Sequence, residues 1–479
     1  ILYLLCLSPN LSVAHDSIGY LSALGSGALN GSGHHLLQHI STFAWVKLWQ
    51  SLGFSDITLI ASSLNALSGA SLVALVYRFA NERLQVSTSF SLAASLCAGL
   101  SYGIWVYSIV LEVYMLPLCL LVASIWRLSS DHPQAWQQAL ALHVLATLFH
   151  QMHILWLLVV IPYLFLQKGP WLRYGLIWGG SVAGIYLLFM WVVMGFGSYA
   201  EMQGFVLGMT QESHFWGMGG ASGILIGNAR AWIGGHFIFA QTGAAFGLQL
   251  SFANADDQYL VRNLTHPAKL VCIVTSLLAA VSLLRLVWGT LRRFWRSAAA
   301  ERIYPLLLIG GILAYSLFFV FWVPINPEFW MLQLVLWCLL FAWGIRSSTW
   351  LWILAACLGL ANWLGSVQWL QSQEHDLYYQ KAQYWQQTAQ EDELILVYDG
   401  WTQESYAQYF TDHPLMVLES CGIDSIRSRI RQYDQLLLEK SVGRVLSADS
   451  SSWDRQSLDS PFGPYERWLR KEAFGEAGN

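Results

Sequence analysis

The chain places an acid and a pair of histidines in one polar interval near its beginning. Asp16 stands in the segment Ala14–Tyr20, and His34 and His35 follow after a short spacer. A carboxylate and imidazoles close together can bind a polar substrate and move protons. Taken alone, Asp16 has a structural explanation, as a solvated loop acid or a helix N-cap, that is as good as a functional one. The two histidines could simply lie at an interface as amphipathic side chains.

A second set of polar residues interrupts the apolar segments further along the chain. Each again has a structural explanation. An acid at a helix start is favoured by the helix dipole, histidines at a turn can bond to the backbone, and Asn-Pro-Glu is typical of a helix start. Their chemistry becomes informative only if the fold gathers them on one face. The set is Glu112, His150, His153, Glu212, His214, Arg230, His236, Asn326 and Glu328.

The elements that must position these residues are membrane helices. Of 479 residues, 55% are hydrophobic and 11% are charged, whereas a soluble domain carries about 25% charged residues. Apolar runs of roughly 20 residues recur, and in lipid such runs can only be helices, because every backbone polar group must be satisfied within the segment. Six of the seven cysteines lie in these runs, which excludes a disulfide framework. We expect an all-α polytopic membrane protein.

The hydropathy pattern predicts about eleven membrane crossings. Residues 1–9 are expected to be the end of a truncated first span, or alternatively the remainder of a signal peptide. The segment 34–54 is expected to lie on the membrane surface as a short amphipathic helix. Further crossings are predicted at about 57–77, 89–107, 112–127, 137–150, 151–166, 172–194, 270–290, 303–322, 327–344 and 349–370.

The basic residues orient these spans. With a surface helix at 34–54, all basic clusters between spans fall on one side, as the positive-inside rule requires of the inner face. The acids and histidines then gather in the outer loops 10–56 and 195–269 and at outer helix ends. Ionisable groups collected at one membrane face indicate a functional site. The basic residues are Arg78, Arg83, Arg127, Lys168, Arg173, Arg285, Arg292, Arg293, Arg296, Arg302 and Arg346.

The tail, 371–479, has the composition of a water-exposed domain and is predicted to lie on the outer side. Glu393–Tyr398, Leu415–Leu418 and Arg444–Leu446 are predicted as strands, and Gln403–Phe410 as a helix. This pattern indicates a small C-terminal α/β domain beside a membrane domain at 1–370. The sequence after the first strand, Asp399–Thr402, is not a nucleotide-binding loop.

Several of these features together resemble the GT-C class of integral-membrane glycosyltransferases. They are an aspartate in the loop after the first span, an adjoining surface helix, and Glu112-Val113-Tyr114 after the aromatic segment Trp105–Ser108. The resemblance is nearest to the protein O-mannosyltransferase-like branch and covers about residues 14–155, with support from Asn326–Trp330. The chain departs from that branch in the first loop, where Gly33–Leu37 replaces a His-Pro-Pro-Gly-Tyr-Pro-like stretch.

The resemblance implies transfer of a sugar, such as the hexose mannose, from a polyprenyl-phosphate donor to an acceptor hydroxyl with inversion. Asp16 would be the general base, Glu112 would hold sugar hydroxyls or orient Asp16, and Arg230 would bind the phosphate. His34, His35, His150 and His153 would add hydrogen bonds, Asn326 and Glu328 would line the donor groove, and Trp105, Tyr107 and Trp330 could stack on sugar or prenyl groups.

The resemblance also implies the setting of the reaction. No cofactor is expected, although a divalent metal is possible. The partners would be the polyprenyl-phosphate-linked sugar, a protein or glycan acceptor and the lipid bilayer, with no nucleic acid. The location would be a bacterial inner membrane with the active face toward the periplasm, or the endoplasmic reticulum membrane of a eukaryote. Two alternatives stay open: a transporter or flippase of lipid-linked sugars or another polar solute, and a non-catalytic assembly subunit.

Overall fold

The structure is a computed structural model in which two compact units can be described. One unit combines Ile1–Pro9 with Ala23–Gln371, and the other combines Asn10–Ser22 with Ser372–Asn479. The segment around Asp16, predicted as a loop of the membrane domain, therefore groups with the C-terminal residues. The residues described are 1–27, 33–211, 224, 258–260, 262, 264–322, 326–345, 349–398, 400–446 and 452–471.

The first unit is helical in every apolar run that the sequence singled out. A helix also forms within 34–54, where the amphipathic segment was expected. Among the described residues, the helices in chain order, of which α2 begins in the second unit, are α1 Leu2–Leu5, α2 Ser17–Ser26, α3 Gln38–Ser51, α4 Ile57–Arg78, α5 Thr88–Gly99, α6 Tyr102–Ile109, α7 Met115–Leu128, α8 Ala135–Phe149, α9 Leu157–Leu166, α10 Trp171–Leu188, α11 Tyr199–Gln211, α12 His266–Arg296, α13 Ile303–Phe319, α14 Met331–Gly344 and α15 Thr349–Asn362.

Shorter helical pieces continue or connect these helices. Three π-helical turns extend α4, α10 and α15, at Phe79–Arg83, Phe189–Val193 and Trp363–Val367. The 3-10 segments of the first unit are Gln151–Trp156, Ala299–Arg302, Pro327–Trp330 and Trp369–Gln371.

The length and composition of the helices identify a multi-pass membrane protein. Four described helices are long and apolar enough to cross a bilayer, or five if α5 and α6, which meet at a bend of 62°, form one broken span. Their outward faces are apolar, with Trp191 70% and Leu284 71% exposed, as expected for lipid contact. The predicted number of about eleven crossings is not confirmed, because several apolar helices are shorter than the ~20 residues that a perpendicular span needs.

Small residues allow the helices to approach closely. A side chain at Gly69 of α4 would collide with Ser108 of α6, and one at Gly344 would collide with Thr290 of α12. In lipid, helices associate through such tight packing, since water provides no driving force there. Glycine is required at these points because a neighbouring helix occupies the space that a side chain would need.

The second unit is built around a five-stranded sheet with the order β2-β1-β3-β5-β4. Its first three strands are parallel, and β5 pairs antiparallel with β3 and β4. The strands are β1 Leu394–Val397, β2 Leu415–Val417, β3 Gln435–Glu439, β4 Trp453–Leu458 and β5 Tyr465–Arg470. The helices are α16 Leu377–Thr388, α17 Trp401–Phe410, α18 Leu418–Cys421, α19 Ile423–Ile430 and α20 Lys440–Val445, with a 3-10 turn at Gln373–His375.

Three of the four elements predicted in this tail are present, and one prediction is wrong. Arg444–Leu446 is the end of helix α20 and its C-cap, not a strand. Val442 and Leu446 lie one helical turn apart and both are buried, so the apolar residues follow a helical period. The strand of this region is β3, which immediately precedes the helix.

Strand β1, which lies between β2 and β3, is buried on both faces, as is typical of a parallel strand covered by helices. Leu394 and Leu396 pack into one apolar cluster with the helix residues Ile426 and Ile430. Ile395 belongs to the cluster on the opposite face. The alternation follows from the two-residue period of a strand.

The segment Asn10–Ser22 is held to the C-terminal residues by buried hydrogen bonds. Asp376 accepts one from the Leu11 amide at 3.1 Å and one from the Tyr406 hydroxyl at 2.9 Å. Its other oxygen caps α16 by accepting from the amides of Tyr378 and Tyr379, each at 3.0 Å. A fully buried carboxylate with these partners joins the early segment and the tail into one unit.

Candidate active site

A break between two helices positions Glu112. Helix α6 ends at Ile109, and the chain follows an irregular, bent path from Val110, which is extended, until α7 begins at Met115. Asn65 of α4 holds this break, because its side-chain amide donates to the carbonyls of Val110 at 2.9 Å and Glu112 at 2.7 Å. These carbonyls have lost their helical partners, so a buried amide donor is required to satisfy them.

Two of the predicted acids converge on Tyr107. The Tyr107 hydroxyl donates to Glu328 Oε2 at 2.9 Å, and Glu112 lies within electrostatic reach of the same tyrosine. Tyr114 packs edge-on against Tyr107, with ring centroids 5.7 Å apart. Residues separated by most of the first unit's sequence are thereby brought to one place.

The loop before α3 brings His35 against His150. The Leu37 amide donates to the carbonyl of Leu148, and the Gln151 amide donates to the carbonyl of His34. The ring centroids of His35 and His150 are then 4.5 Å apart. Tyr114 packs on the ring of His150 at 5.1 Å, which joins this pair to the two acids. We call Tyr107, Glu112, Tyr114, Glu328, His35 and His150 the polar cluster.

The hydrogen bonds of His150 determine which of its nitrogens carries the proton. His150 Nδ1 accepts from the Met152 amide at 3.2 Å, so a neutral ring has its proton on Nε2. That Nε2 is buried and has no protein partner. His150 therefore offers an unused hydrogen-bond donor in the polar cluster.

His35 offers the complementary group. One ring nitrogen bonds to the Phe149 backbone, and burial together with the neighbouring His150, His34 and His39 holds the pKa of His35 well below its ordinary value. The ring is thus neutral at neutral pH, and its proton is used on the backbone carbonyl. The other nitrogen, Nδ1, is buried without a partner and is an acceptor. A free donor and a free acceptor on adjacent rings can hold one hydroxyl group.

His153 lies next to this pair but is bound differently. Its ring is 6.1 Å from that of His150, and its Nδ1 is 3.1 Å from the Tyr315 hydroxyl. His143 in turn bonds to the His153 carbonyl and to the Tyr174 hydroxyl. His153 is completely buried, so it supports the polar cluster from behind, although its Nε2 has no protein partner.

An apolar wall adjoins the polar cluster. Phe329 packs on Tyr114 at 6.0 Å and stacks on Phe319 at 4.9 Å, and Trp322 packs on Phe329 at 5.1 Å. The neighbouring acid Glu328 belongs to the same short segment as Phe329. Polar groups able to hold a sugar and apolar rings able to hold a hydrocarbon chain thus lie side by side.

The remaining predicted residues are distributed as follows. His34 is half-buried and its ring lies 6.3 Å from that of His35. Asn326 precedes the 3-10 segment that carries Glu328 without a capping hydrogen bond from its side chain, and none of the described contacts joins that side chain to the polar cluster. Arg230 lies outside the described residues. Trp330 is fully buried, and Trp105 stacks on Trp363, so neither ring presents a free face for the predicted stacking.

Asp16 belongs to the second unit. It is exposed at the surface, just before α2. Desolvation by the surrounding protein raises the pKa of Asp16, against the opposing effects of the charge on His15 and a hydrogen bond from Tyr20. The neighbouring His15 ring packs edge-on against Tyr378 at 5.8 Å. A carboxyl with a raised pKa is a better proton acceptor than an ordinary aspartate.

Sequence reasoning missed Asn65 and Tyr315. The sequence candidates are mainly acids, histidines and an arginine, whereas Asn65 and Tyr315 carry no charge at neutral pH. An asparagine in the middle of the apolar run 57–77 was a detectable signal, since an amide buried in such a helix requires hydrogen-bond partners. Within the described residues, no group of three or more histidine, cysteine, aspartate or glutamate side chains is arranged to hold a metal ion.

Comparisons with known proteins find a similar fold and no close relative. No family model and no curated protein matches the chain. Two crystal structures of ArnT from Cupriavidus metallidurans are similar. The apo state has 13% identity over 97% of this chain and 95% of that chain, with a TM-score of 0.48. The structure bound to undecaprenyl phosphate has 12% identity over 98% of this chain and 94% of that chain, with a TM-score of 0.54.

The second of these structures shows that the chain has the fold of ArnT over almost its whole length. At 12% identity, this similarity concerns the fold alone. The O-mannosyltransferase-like branch is not confirmed.

Proposed function

We propose that the protein is an integral-membrane glycosyltransferase that moves a sugar from a polyprenyl-phosphate carrier to an acceptor hydroxyl. Two observations support the proposal. The fold is that of ArnT, one structure of which is bound to undecaprenyl phosphate. The polar cluster gathers acids and histidines at one place and lies against an apolar wall, as a lipid-linked sugar requires.

The observation that carries the proposal is the pair of unused ring nitrogens on His35 and His150. A buried donor and a buried acceptor without protein partners each cost free energy of about 1–3 kcal/mol. A sugar hydroxyl satisfies both, because it accepts from His150 Nε2 and donates to His35 Nδ1. This assigns the histidines to the sugar hydroxyls rather than to the phosphate.

Glu112 and Glu328 are also suited to binding the hydroxyl groups of the sugar. Glu328 is already oriented by the Tyr107 hydroxyl, and Glu112 is fixed through its backbone by Asn65. Carboxylates accept hydrogen bonds from sugar hydroxyls and stabilise positive charge that develops at the sugar carbon. Phe329 and its aromatic neighbours would contact the first units of the prenyl chain.

Asp16 is the proposed general base, on the strength of the family resemblance. The base would take the proton of the acceptor hydroxyl as its oxygen attacks the sugar carbon, and the carrier phosphate would leave from the opposite face with inversion. Arg230 is proposed to neutralise the leaving phosphate, as the sequence suggested, and Asn326 is proposed to line the donor groove. We propose that the transfer occurs at the outer face of the membrane that the chain spans, with a protein or glycan as acceptor.

The sugar is to be determined by a donor panel. The sequence resemblance favours a hexose such as mannose, and the ArnT fold gives no support for mannose in particular. Purified protein in nanodiscs is supplied with polyprenyl phosphates carrying radiolabelled hexoses or amino sugars and with a cell-envelope extract as acceptor. Passage of label from the lipid to the acceptor fraction is expected. Absence of transfer from every donor would overturn the proposal.

The labelled lipid-linked sugar also distinguishes the proposed enzyme from a transporter or flippase. The protein is reconstituted into vesicles with the labelled lipid-linked sugar, and the label is tested for accessibility on each side. A flippase moves the intact lipid-linked sugar and forms no glycoside. The proposed enzyme forms a glycoside and releases the polyprenyl phosphate.

A further inference from the structure

Three arginines surround one tryptophan at the far end of the first unit's helices. The guanidinium carbons of Arg78, Arg83 and Arg127 lie 4.4, 5.5 and 5.4 Å from the ring of Trp126. Arg83 ends the candidate span Ile57–Arg83, and Trp126 and Arg127 lie in the last turn of α7. We call these four residues the arginine cluster.

The arginine cluster is separate from the polar cluster. Glu112 and Tyr114 precede the first residue of α7, whereas Trp126 and Arg127 are near its last. A helix of 14 residues is about 21 Å long. The two clusters therefore lie at opposite ends of α7.

Among the described residues, one arginine of the cluster forms an ion pair with an acid, and the same acid, Glu82, acts electrostatically on Arg83 without pairing with it. Glu82 pairs with Arg78 at 2.8 Å and accepts from the Trp126 indole at 3.0 Å. Among the described residues, no carboxylate forms an ion pair with Arg83 or Arg127. Arg127 donates instead to the neutral Gln138, and Arg83 Nε is buried without a partner.

Asp131 does not complete the charge balance. It acts electrostatically on Tyr304, as Arg83 does, but within the described part of the chain it forms no ion pair with either free arginine. The three guanidinium groups thus face the two carboxylates Glu82 and Asp131, which leaves a net positive charge at the end of an apolar helix. Repulsion between like charges opposes this arrangement unless an anion lies between them.

We infer that the arginine cluster binds the phosphodiester headgroup of an anionic phospholipid. A guanidinium stacked on an indole keeps its N–H edge free for bidentate bonds to phosphate oxygens. The end of a membrane span is also the level at which lipid phosphates lie, with acyl chains beside the apolar part of the helix. A basic residue at this level attracts anionic lipid. The site has no part in sugar transfer.

The test measures the melting temperature of the purified full chain in mixed micelles of phosphatidylglycerol or phosphatidylcholine. The variant R83Q/R127Q removes the two unpaired charges. The matched control R292Q/R296Q removes two charges from exposed positions in the last turns of α12. A further arm adds inorganic phosphate to protein in phosphatidylcholine micelles.

Phosphatidylglycerol is expected to raise the melting temperature of the wild type and of the control by about 2–4 °C relative to phosphatidylcholine. R83Q/R127Q is expected to lose this response, while R83K/R127K, which keeps the charge, retains part of it. An equal response in all variants, or none in the wild type, would overturn the inference. A full response to inorganic phosphate alone would overturn the assignment to a lipid.

Discussion

At the scale of single residues, the structure turns a set of polar positions into groups with defined hydrogen-bonding roles. His35 and His150 differ in the one respect that matters for ligand binding, since one ring offers an acceptor and the other a donor. The difference arises from backbone contacts, because the Phe149 carbonyl takes the proton of His35 and the Met152 amide occupies Nδ1 of His150.

The assignment for His150 predicts a contrast between two substitutions. His150→Asn keeps an oxygen where Nδ1 accepts from the Met152 amide and removes the Nε2 donor. His150→Gln places a donor near the position of Nε2. We expect His150→Asn to raise the KM for the lipid-linked sugar by about 10-fold, the loss of one hydrogen bond of roughly 1.4 kcal/mol, and His150→Gln to retain more affinity. Equal KM values for both variants and the wild type would refute this assignment.

The proposed base is tested by Asp16→Asn. Removal of a general base lowers the rate of transfer by about 10²–10⁴-fold, so kcat should fall by this amount while donor binding is retained. The measurement is single-turnover transfer of label. Asp56→Asn is a suitable control, because Asp56 is exposed at the start of α4. Near-full turnover by Asp16→Asn would exclude Asp16 as the base.

The raised pKa of Asp16 also predicts the pH dependence. Only the ionised carboxylate accepts a proton, so the rate should rise with pH through the pKa of Asp16. Because desolvation raises that pKa above the ordinary value of 3.8, the acid limb of the profile of kcat/KM should have its midpoint above 3.8. The limb should disappear in the residual activity of Asp16→Asn. A limb unchanged by the substitution would belong to another group.

Asn65 links the residue scale to the elements, because it holds the break between α6 and α7. Asn65→Leu removes both donors and leaves the carbonyls of Val110 and Glu112 unsatisfied. We expect a loss of about 1–3 kcal/mol in unfolding free energy and a decrease in kcat as Glu112 moves. Ser71→Ala on the exposed face of the same helix serves as the control. Normal kcat in a destabilised Asn65→Leu would show that its role is only structural.

At the scale of elements, irregular segments position the functional groups more than the helices themselves do. The irregular break at 110–114, the junction at His150 and the 3-10 segment at Pro327–Trp330 bring side chains together at helix ends. Such irregular backbone is tolerated in a membrane protein where protein groups satisfy it. A position within a helix contributes to the same cluster at Tyr107 of α6.

The second unit offers an element-scale prediction through Asp376, which joins Asn10–Ser22 to α16. Asp376→Ala removes a helix cap and two buried hydrogen bonds, and we expect the unit to lose about 2–4 kcal/mol of stability. Asp424→Ala, at an exposed position in the first turn of α19, should change stability by less than about 0.5 kcal/mol. Limited proteolysis within the tail as a function of urea measures both. Equal resistance would contradict the proposed link.

At the scale of the whole molecule, the fold of ArnT spans nearly the full chain without sequence identity that would reveal it. If the proposed donor binds the native state and not the unfolded chain, it stabilises the folded protein. A polyprenyl-phosphate sugar at 100 times its dissociation constant adds about 2.7 kcal/mol, which a thermal-unfolding assay in detergent resolves. Polyprenyl alcohol, which lacks the phosphate and sugar, is the control. Stabilisation by the alcohol to the same extent would show hydrocarbon binding alone.

The sequence by itself determined the membrane class, the helices in the apolar runs and most of the acids and histidines of the candidate site. Lipid leaves an apolar run no alternative to a helix, and polar groups there are too costly to occur without a reason. The sequence also indicated the α/β nature of the tail, with a helix mistaken for a strand at Arg444–Leu446. The number of crossings did not follow, because broken and short helices blur the relation between hydropathy and span.

Tertiary structure decided the rest. Only the folded chain brings His35 to His150, assigns their free nitrogens and shows that Asn65 fixes Glu112. It also groups the Asp16 segment with the C-terminal residues. These relations depend on contacts between residues far apart in the chain, whereas hydropathy and spacing describe only neighbours along it.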